Sequence, residues 1–286
     1  MSKTFTDSNG RALGELKLNG PTMGTRYSAH LFVPNSLDRN ALEAALFEAV
    51  DRIDRQMSTW KADSDLMRLN GAPVGEWVEL PPELGAVLAG ALDIGRASNG
   101  AFDIGLGDIV NAWGFGALRD APDETAIKQH LGAKHLPAHE RLELDAQRRS
   151  ARKLEPVSLD LCGIAKGFGT DEMIRVIKAF GIENALADLD GELRAIGTDA
   201  GGAAWSVAVE KPDYERREAM GVIELKDCAV ATSGDYRHWI DVGDLRLSHT
   251  MNRMTGGPQQ NTVASVSVMA KTGMEADAWA TALSVM

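Results

Sequence analysis

The apolar residues of this chain recur with two different periods, and together these periods limit the possible folds. Helical spacing, with an apolar residue every three or four positions, predicts amphipathic helices over residues 42–57, 84–92 and 164–180. Short apolar or alternating runs between turn residues predict strands over residues 26–33, 185–189, 204–210, 221–225 and 263–268. The second half is thus mostly β, before a closing helix that begins near Glu275. We predict an α+β fold.

Some boundaries between these elements are also predicted from local residue types. Asn40 is typical of a residue that starts the first helix, and a turn around Gly20 and Pro21 is expected to precede the first strand. The apolar run over residues 157–161 is predicted to be a strand that delivers Asp160 to the start of the third helix.

Residues 117–156 are polar and charged, and we expect them to lie at the periphery with little role in chemistry. A short helix is predicted near residues 123–131, followed by a hairpin around residues 146–147. Three histidines fall in this segment, at His130, His135 and His139. Gly132 and Pro137 interrupt any helix that they could share, and no carboxylate partner is evident, so the spacing disfavours a metal cluster.

Composition excludes several classes of protein. The 286 residues include 30 Lys and Arg against 41 Asp and Glu, which gives a net charge of −11. An acidic chain without a basic tract is unsuited to binding nucleic acid or anionic membrane surfaces. No run approaches the roughly 18 apolar residues of a transmembrane segment. Cys162 and Cys228, far apart, exclude a disulfide scaffold or a cysteine-based zinc site.

Glycine is concentrated in a few segments that also contain Asp, Thr and Ser at the ends of predicted elements. These segments span residues 22–25, 100–103, 160–166, 232–235 and 249–256. Small residues let backbone N–H groups approach a polar ligand. Neither the spacing of a dinucleotide-binding glycine loop nor that of a phosphate-binding P-loop is present.

Asp277 and Thr281 lie four residues apart in the last predicted helix, so both side chains project from one face. A carboxylate and a hydroxyl are oxygen ligands suited to Mg²⁺, completed by a backbone carbonyl and substrate phosphates. In the alternative interpretation, Asp277 only complements the helix dipole and Thr281 is an ordinary interior residue.

Three further features leave alternatives open. His249, in a turn-like segment, is either a general base, because its pKa lies near neutrality, or a surface residue. Trp60 either covers a flat heterocycle or packs in the core. The acidic residues around Gly191 lack the full pattern of a calcium loop and suggest a charged turn; they are Asp188, Asp190 and Glu192.

Taken in order, eight short segments resemble those of the ApbE family, the FAD:protein FMN transferases. The segments are residues 21–25 (PTMGT), 57–60 (MSTW), 100–103 (GAFD), 113–116 (WGFG), 159–167 (LDLCGIAKG), 231–236 (ATSGDY), 249–256 (HTMNRMTG) and 276–281 (ADAWAT). The resemblance runs from about residue 20 to residue 286. It implies an ApbE-like fold of mixed or antiparallel sheets with packed helices, preceded by an N-terminal extension over residues 1–19.

The resemblance also implies an activity and a set of site residues. The expected enzyme is Mg²⁺-dependent and moves the FMN part of FAD to a Ser or Thr hydroxyl of a partner flavoprotein, with release of AMP. Asp277, Thr281 and the carbonyl of Gly163 are the implied Mg²⁺ ligands. The residues implied to contact FAD are Met23, Trp60, Ala101, Phe102, Asp103, Asp160, Lys166 and Met251.

Lys166 and Mg²⁺ would offset charge that develops on the phosphoryl oxygens and on the leaving AMP. The acceptor hydroxyl needs a base, for which the sequence leaves His249 and Asp277 as candidates. Two other functions use the same residues: an FAD pyrophosphatase that yields FMN and AMP, and a non-catalytic protein that binds or delivers FAD.

The chain departs from the family pattern at several positions. His-Ile-Ile-Asp-Pro is usual where this chain has residues 249–253 (HTMNR), so Arg253 replaces a proline and Asn252 a carboxylate. Asn-Ala-Gly-Gly-Asp is usual where residues 188–192 read DLDGE, and an added acidic residue there would repel phosphate unless it faces away or meets the metal.

The chain ends five residues after Thr281, so we expect a C-terminal truncation. Family members mostly act outside the cytoplasmic membrane on flavin subunits of electron-transfer complexes, which implies a periplasmic location. The first seven residues lack the apolar core of a signal peptide, which leaves the cytoplasm as the alternative.

Overall fold

The computed structural model describes residues 5–6, 12–117, 121–236, 239–242, 245–260 and 263–286. Its helices are α1 (Arg39–Met57), α2 (Asp65–Gly71), α3 (Pro82–Ala97), α4 (Gly107–Ala112), α5 (Glu124–His130), α6 (Ala138–Arg141), α7 (Ala165–Ala179) and α8 (Gly273–Val285). The three predicted amphipathic helices and the closing helix are confirmed as α1, α3, α7 and α8. The first helix is capped by Asp38, not by Asn40, because the Asp38 carboxylate accepts the amide of Ala41 at 3.0 Å.

The strands are β1 (Phe5–Thr6), β2 (Ala12–Thr22), β3 (Thr25–Pro34), β4 (Val78–Glu79), β5 (Leu142–Asp145), β6 (Ser150–Lys153), β7 (Ala185–Leu189), β8 (Glu192–Ile196), β9 (Trp205–Glu210), β10 (Ala219–Leu225), β11 (Ala229–Gly234), β12 (Trp239–Val242), β13 (Leu245–Ser248), β14 (Met251–Asn252), β15 (Gly257–Pro258) and β16 (Ser265–Ala270). The five strands predicted from apolar runs are confirmed as β3, β7, β9, β10 and β16.

A seven-stranded antiparallel sheet in the order β1-β2-β3-β7-β8-β11-β16 forms the centre of the fold. A three-stranded sheet (β4-β6-β5) and three two-stranded pairs (β9–β10, β12–β13, β14–β15) complete the described strands. The α+β prediction, with antiparallel sheets and packed helices, is therefore confirmed.

Helices cover one face of the central sheet. Leu31 of β3 packs among apolar residues of α1 and α7, and its neighbour Phe32 points to the opposite face, where it stacks with Trp205 at 5.6 Å. Helix α8 places Ala276 and Ala280 against Ala231 of β11 and lies beside α7. The helices α7 and α8, which carry Lys166, Asp277 and Thr281 of the predicted site, are thus fixed between the sheet and the remaining helices.

The predicted strand over residues 157–161 is wrong. This segment is extended but joins none of the described sheets. The side chain of Asn70 makes the backbone hydrogen bonds with Leu159 that a neighbouring strand would otherwise make. Its Nδ2 donates to the Leu159 carbonyl at 2.9 Å, and its Oδ1 accepts the Leu159 amide at 2.8 Å. The Asp160 amide donates to the Ile104 carbonyl at 2.8 Å. The segment does deliver Asp160 to the start of α7, as expected.

The predicted turn around Gly20 and Pro21 is also wrong, because both residues lie inside β2. The chain reverses at Met23 and Gly24, whose φ angles are +48° and +72°. The predicted boundary between extension and domain, at residue 20, falls within this same strand.

The segment 117–156, where described, contains the predicted short helix as α5 and the predicted hairpin as β5–β6. It lies outside the cavity described below but supports one of its walls. The carbonyl of His135 accepts Arg253 Nη1 at 2.6 Å, and the carbonyl of His130 lies so close to Gly256 that a β-carbon there would overlap it. None of the described helices is both long and apolar enough to cross a membrane.

Candidate active site

A cavity of about 750 Å³ opens where the start of α7, one face of α8 and the end of β11 meet. Two loops complete it, one around residues 101–104 and one around residues 249–251. Four of the five glycine-rich segments, all except residues 22–25, contribute lining residues. The glycine-rich segments, which were expected to approach a polar ligand, therefore lie mostly around this cavity.

Two glycines allow α7 and α8 to approach closely at the base of the cavity. A β-carbon on Gly167 would overlap the carbonyl oxygen of Gly273, and one on Gly273 would overlap that of Gly167. Asp171 of α7 fixes the start of α8, since its carboxylate accepts the amides of Gly273 at 2.7 Å and Met274 at 3.0 Å. The first turn of α7 and the middle of α8 therefore face the same space.

Asp277 is buried at this crossing, with 3% of its surface exposed. Its Oδ2 accepts the amide of Gly167 at 2.9 Å. Burial raises the pKa of Asp277 to about 6, and the ammonium of Lys166 opposes this rise.

Glu192 lies beside it on β8, with 4% of its surface exposed. Burial, and secondly the negative charge of Asp277, raise the pKa of Glu192 to about 8. Its Oε2 has no hydrogen-bond partner among the residues that the structure describes. Sequence analysis treated Glu192 only as part of an acidic turn, because the turn pattern does not show that β8 points this side chain into the cavity.

Lys166 supplies positive charge among these carboxylates. Its Nζ lies 3.0 Å from Glu192 Oε1 and 3.5 Å from Asp190 Oδ2. Burial alone would lower the pKa of Lys166, but the carboxylates of Glu192, Asp277 and Asp190 together raise it above its ordinary value. The expected repulsion of phosphate by Asp190 is thus offset, because this carboxylate meets Lys166 and accepts Thr25 Oγ1 at 2.7 Å.

The three residues that resemblance assigned to Mg²⁺ all line the cavity. Gly163 and Thr281 adjoin, since a β-carbon on Gly163 would lie 3.0 Å from Thr281 Oγ1. That hydroxyl also lies 3.2 Å from Ser233 Oγ of β11. One lysine faces three carboxylates, so the site has excess negative charge, and hard oxygen donors converge on it. These residues fit a divalent cation of the Mg²⁺ type.

A preformed group of three or more His, Cys, Asp or Glu side chains arranged to hold a metal ion is absent from the described part of the chain. Any metal ion here would therefore depend on one carboxylate supplemented by hydroxyl and carbonyl oxygens and by the substrate. Mg²⁺ is commonly held in this way.

Five more of the predicted residues also reach the cavity: His249, Met251, Ala101, Phe102 and Asp160. The ring of His249 lies edge-on to Phe115, with 6.4 Å between centroids. Met251 packs against Leu106 and Ile109. The Asp160 carboxylate accepts the amide of Cys162 at 2.7 Å at the entrance to α7.

Asp103 lines the same wall, but its carboxylate is turned into the protein, with 1% of the side chain exposed. Its Oδ1 accepts the amides of Gly105 at 2.8 Å and Ala138 at 3.0 Å. Burial raises the pKa of Asp103 despite these hydrogen bonds and the nearby guanidinium of Arg253. The structure therefore gives this carboxylate a structural role.

Met23 and Trp60 do not line the cavity. Met23, at the β2–β3 turn, packs against both large apolar cores. Trp60 lies between α1 and α2 with 69% of its surface exposed. Their contact with FAD remains a prediction.

The β9–β10 hairpin forms a wall that sequence analysis did not predict. Val207, Val209 and Ile223 line the cavity from this hairpin, and Tyr236 adjoins it through a 3.4 Å hydrogen bond from its hydroxyl to Glu210. Alternation identified both strands, but the face that meets the cavity depends on how the hairpin docks on the sheet.

Asn252 and Arg253, the two departures from the family pattern in residues 249–253, both form hydrogen bonds within the protein. Asn252 Nδ2 donates to Gln259 Oε1 at 2.7 Å, and Asn252 Oδ1 accepts the amide of Met254 at 2.8 Å. Arg253 Nη1 donates to the His135 carbonyl at 2.6 Å. Side-chain hydrogen bonds thus hold this loop where the family pattern has a proline.

Comparison with known proteins gives a consistent result. The model of the ApbE family matches residues 23–286. The FAD:protein FMN transferase of Vibrio cholerae is 34% identical over 274 residues, which cover 95% of this chain and 81% of the relative. The enzyme of the same name from Escherichia coli K12 is 31% identical over 276 residues, 94% of this chain and 78% of the relative.

Solved structures agree with the sequence matches. The flavin transferase ApbE from Vibrio cholerae superimposes with a TM-score of 0.84 and 32% identity, over 96% of this chain and 87% of that one. The ApbE protein from Thermotoga maritima superimposes with a TM-score of 0.83 and 29% identity over the same shares. The fold and these matches define a transferase enzyme. The chain belongs to the ApbE family.

Proposed function

We propose that this enzyme uses Mg²⁺ to transfer the FMN part of FAD to a Ser or Thr hydroxyl of a partner flavoprotein, with release of AMP. One observation carries the proposal: Asp277, Thr281 and Lys166 meet in a cavity of about 750 Å³. That volume is within the range of pockets that hold nucleotide-sized ligands. Phosphoryl transfer needs oxygen ligands for a metal ion, such as Asp277 and Thr281, and a cationic side chain, such as Lys166, near the transferred group.

The proposed step forms one P–O bond and breaks another. The acceptor oxygen bonds to the phosphorus nearest riboflavin, while the pyrophosphate P–O bond breaks and its electron pair leaves with AMP. Asp277, Thr281 and the Gly163 carbonyl would hold Mg²⁺, which when bound neutralises phosphoryl oxygens. Lys166 stabilises the charge that grows on the transferred group, because its ammonium lines the cavity, 3.0 Å from Glu192 Oε1 and 3.5 Å from Asp190 Oδ2.

Of the two candidate bases, the geometry favours His249. Asp277 already uses Oδ2 for the amide of Gly167, and its remaining oxygen would serve the metal ion. His249 lines the same cavity and can take the proton of the acceptor hydroxyl.

The acceptor and the location belong to the same proposal. We infer that the acceptor is a flavin subunit of an electron-transfer complex and that the enzyme acts in the periplasm. Both follow from the family resemblance. Detection of covalent flavin on periplasmic proteins, compared between a strain with this enzyme and one without it, tests them together.

The test of the activity is an incubation of purified enzyme with FAD and Mg²⁺, with and without an acceptor domain that carries its threonine. A Thr-to-Ala acceptor is the matched control. We expect AMP and in-gel flavin fluorescence only with the intact acceptor, and loss of both in His249→Ala. Equal AMP release without an acceptor would replace the proposal with an FAD pyrophosphatase, and bound FAD without AMP would indicate a binding protein.

A further inference from the structure

Arg253 is a mostly buried cation that the proposed chemistry does not use. Its side chain is 14% exposed, although it belongs to a loop at the molecular surface. Nη1 donates to the carbonyl of His135, and Nε lies 3.6 Å from Asp103 Oδ2. The guanidinium also lies against Gly100, where a β-carbon would come within 2.9 Å of it.

The carboxylate of Asp103 forms an ion pair with Arg253. Its Oδ1 is occupied by the amides of Gly105 and Ala138, whereas Oδ2 has no hydrogen-bond partner within the described ranges of the chain and faces Arg253. Gly100 has a φ of +77°, a conformation that suits glycine, and its lack of a side chain makes room for the guanidinium. Three separate chain segments therefore meet at Arg253.

Two of these segments line the cavity. Ala101 and Phe102 line it immediately before Asp103, and His249 to Met251 line it immediately before Arg253. A buried ion pair contributes little net stability, since desolvation costs about as much as the attraction returns. It does impose a specific geometry, because the planar guanidinium directs its hydrogen bond to the His135 carbonyl and its charge contact with Asp103 in fixed directions.

We propose that Arg253 is a positioning residue that holds His249 and Met251 at a fixed distance from the 101–103 loop. The inference deepens the proposed function and rests on it for its kinetic consequence. Without Arg253, the two segments would move apart, so that His249 would lose its alignment with the acceptor hydroxyl and Met251 its contact with FAD.

The test compares Arg253→Ala with Arg152→Ala in the intact chain. Arg152 is a suitable control because it also forms an ion pair, at 2.7 Å with Glu143, and stacks on Trp77, but it does not line the cavity. We expect Arg253→Ala to lower kcat for AMP release at least tenfold and to raise KM for FAD at least fivefold. A smaller folded fraction would lower kcat alone. Arg152→Ala should change neither constant.

Amide hydrogen exchange supplies a readout that is independent of activity. In Arg253→Ala we expect exchange in residues 249–254 to quicken at least tenfold, while exchange within α7 stays within twofold. Should Arg253→Ala not fold, Asp103→Asn removes the other half of the pair and should quicken exchange in the same residues. An unchanged KM with unchanged local exchange, or uniformly faster exchange, would overturn the inference. If the unmodified enzyme released no AMP, the proposed function would fail, and local exchange alone would decide this inference.

Discussion

Gly167 and Gly273 bring the backbones of α7 and α8 into direct contact, with each α-carbon facing the carbonyl of the other residue. This contact places the Gly167 amide 2.9 Å from Asp277 Oδ2. The helix crossing and the acidic site are therefore built by the same residues.

Gly167→Ala should separate the two helices, because the added methyl group has no space. We expect a loss of about 3 kcal/mol or more in the free energy of unfolding, as for an overpacked core, together with loss of activity. Gly85→Ala in α3 is the matched control, since nothing lies within 4 Å of its added methyl group. It should be neutral or stabilise the helix by up to about 1 kcal/mol. Urea unfolding of both variants checks this, and equal losses would contradict it.

Asp277→Asn should abolish catalysis without destabilising the fold. A neutral amide suits the buried position, where burial raises the pKa of the carboxyl to about 6, but it is a poor Mg²⁺ ligand. AMP release should fall by roughly 10²-fold or more. Glu275→Gln, on the same helix but outside the cavity, should retain activity. Retention of more than a tenth of the activity by Asp277→Asn would argue against its role as a metal ligand.

Thr281 can be probed with two variants of similar size. Thr281→Ser keeps the hydroxyl that contacts Ser233, whereas Thr281→Val keeps the shape and loses the oxygen. We expect the Mg²⁺ concentration for half-maximal rate to rise about tenfold in Thr281→Val, equivalent to about 1.4 kcal/mol. Thr281→Ser should stay within about threefold on the same scale. A titration of the initial rate with Mg²⁺ measures both, and similar values for the two variants would exclude a ligand role.

Glu192 should make stability depend on pH when no divalent cation is present. The folded protein keeps this carboxyl protonated up to about pH 8, whereas the unfolded chain releases the proton near its ordinary pKa of 4.5. The stabilisation is therefore complete below pH 4.5 and is lost as the pH rises to about 8. For one proton, the free energy of unfolding changes by at most about 1.4 kcal/mol per pH unit.

Urea unfolding in chelator at pH 5, 6.5 and 8 measures this effect. Glu192→Gln should flatten the profile, and Glu143→Gln, a control whose side chain is 43% exposed, should not. Parallel profiles for Glu192→Gln and the unmodified protein would show that another group is responsible.

Asn70 should contribute more to the free energy of unfolding than an asparagine on the surface. Both of its hydrogen bonds to Leu159 replace those of a missing neighbouring strand. Asn70→Ala would leave the Leu159 amide and carbonyl without partners, at a cost of about 1–3 kcal/mol in the free energy of unfolding. Thermal or urea unfolding measures it. A loss below about 0.5 kcal/mol would mean that water replaces the side chain.

The sequence predicted elements wherever local periodicity is sufficient. The stripes of α1, α3 and α7 and the runs of β7, β9, β10 and β16 contain enough apolar residues at fixed spacing to show their conformation. The 157–161 run has the same character, yet its partner is the side chain of Asn70, 89 residues away. Local pattern cannot identify such a partner, so the predicted strand was wrong.

The site was predicted unevenly for a related reason. Asp277 and Thr281 share a helix face, and one turn of helix keeps them together in any fold that contains it. Their meeting with Lys166, Gly163 and Ser233 requires α7, α8 and β11 to converge. The direction of the Asp103 carboxylate, inward to Arg253, depends on 150 residues of intervening chain.

The sequence by itself determined five of the eight described helices, seven of the sixteen described strands, the acidic charge and the order of the glycine-rich segments, because these depend on neighbours a few residues apart. The tertiary structure alone decided which carboxylates are buried together. Glu192 and Asp277 come from different elements, and burial of each side chain by the packed fold is the largest cause that raises its pKa. Desolvation is a property of the packed fold, and no local spacing along the chain encodes it.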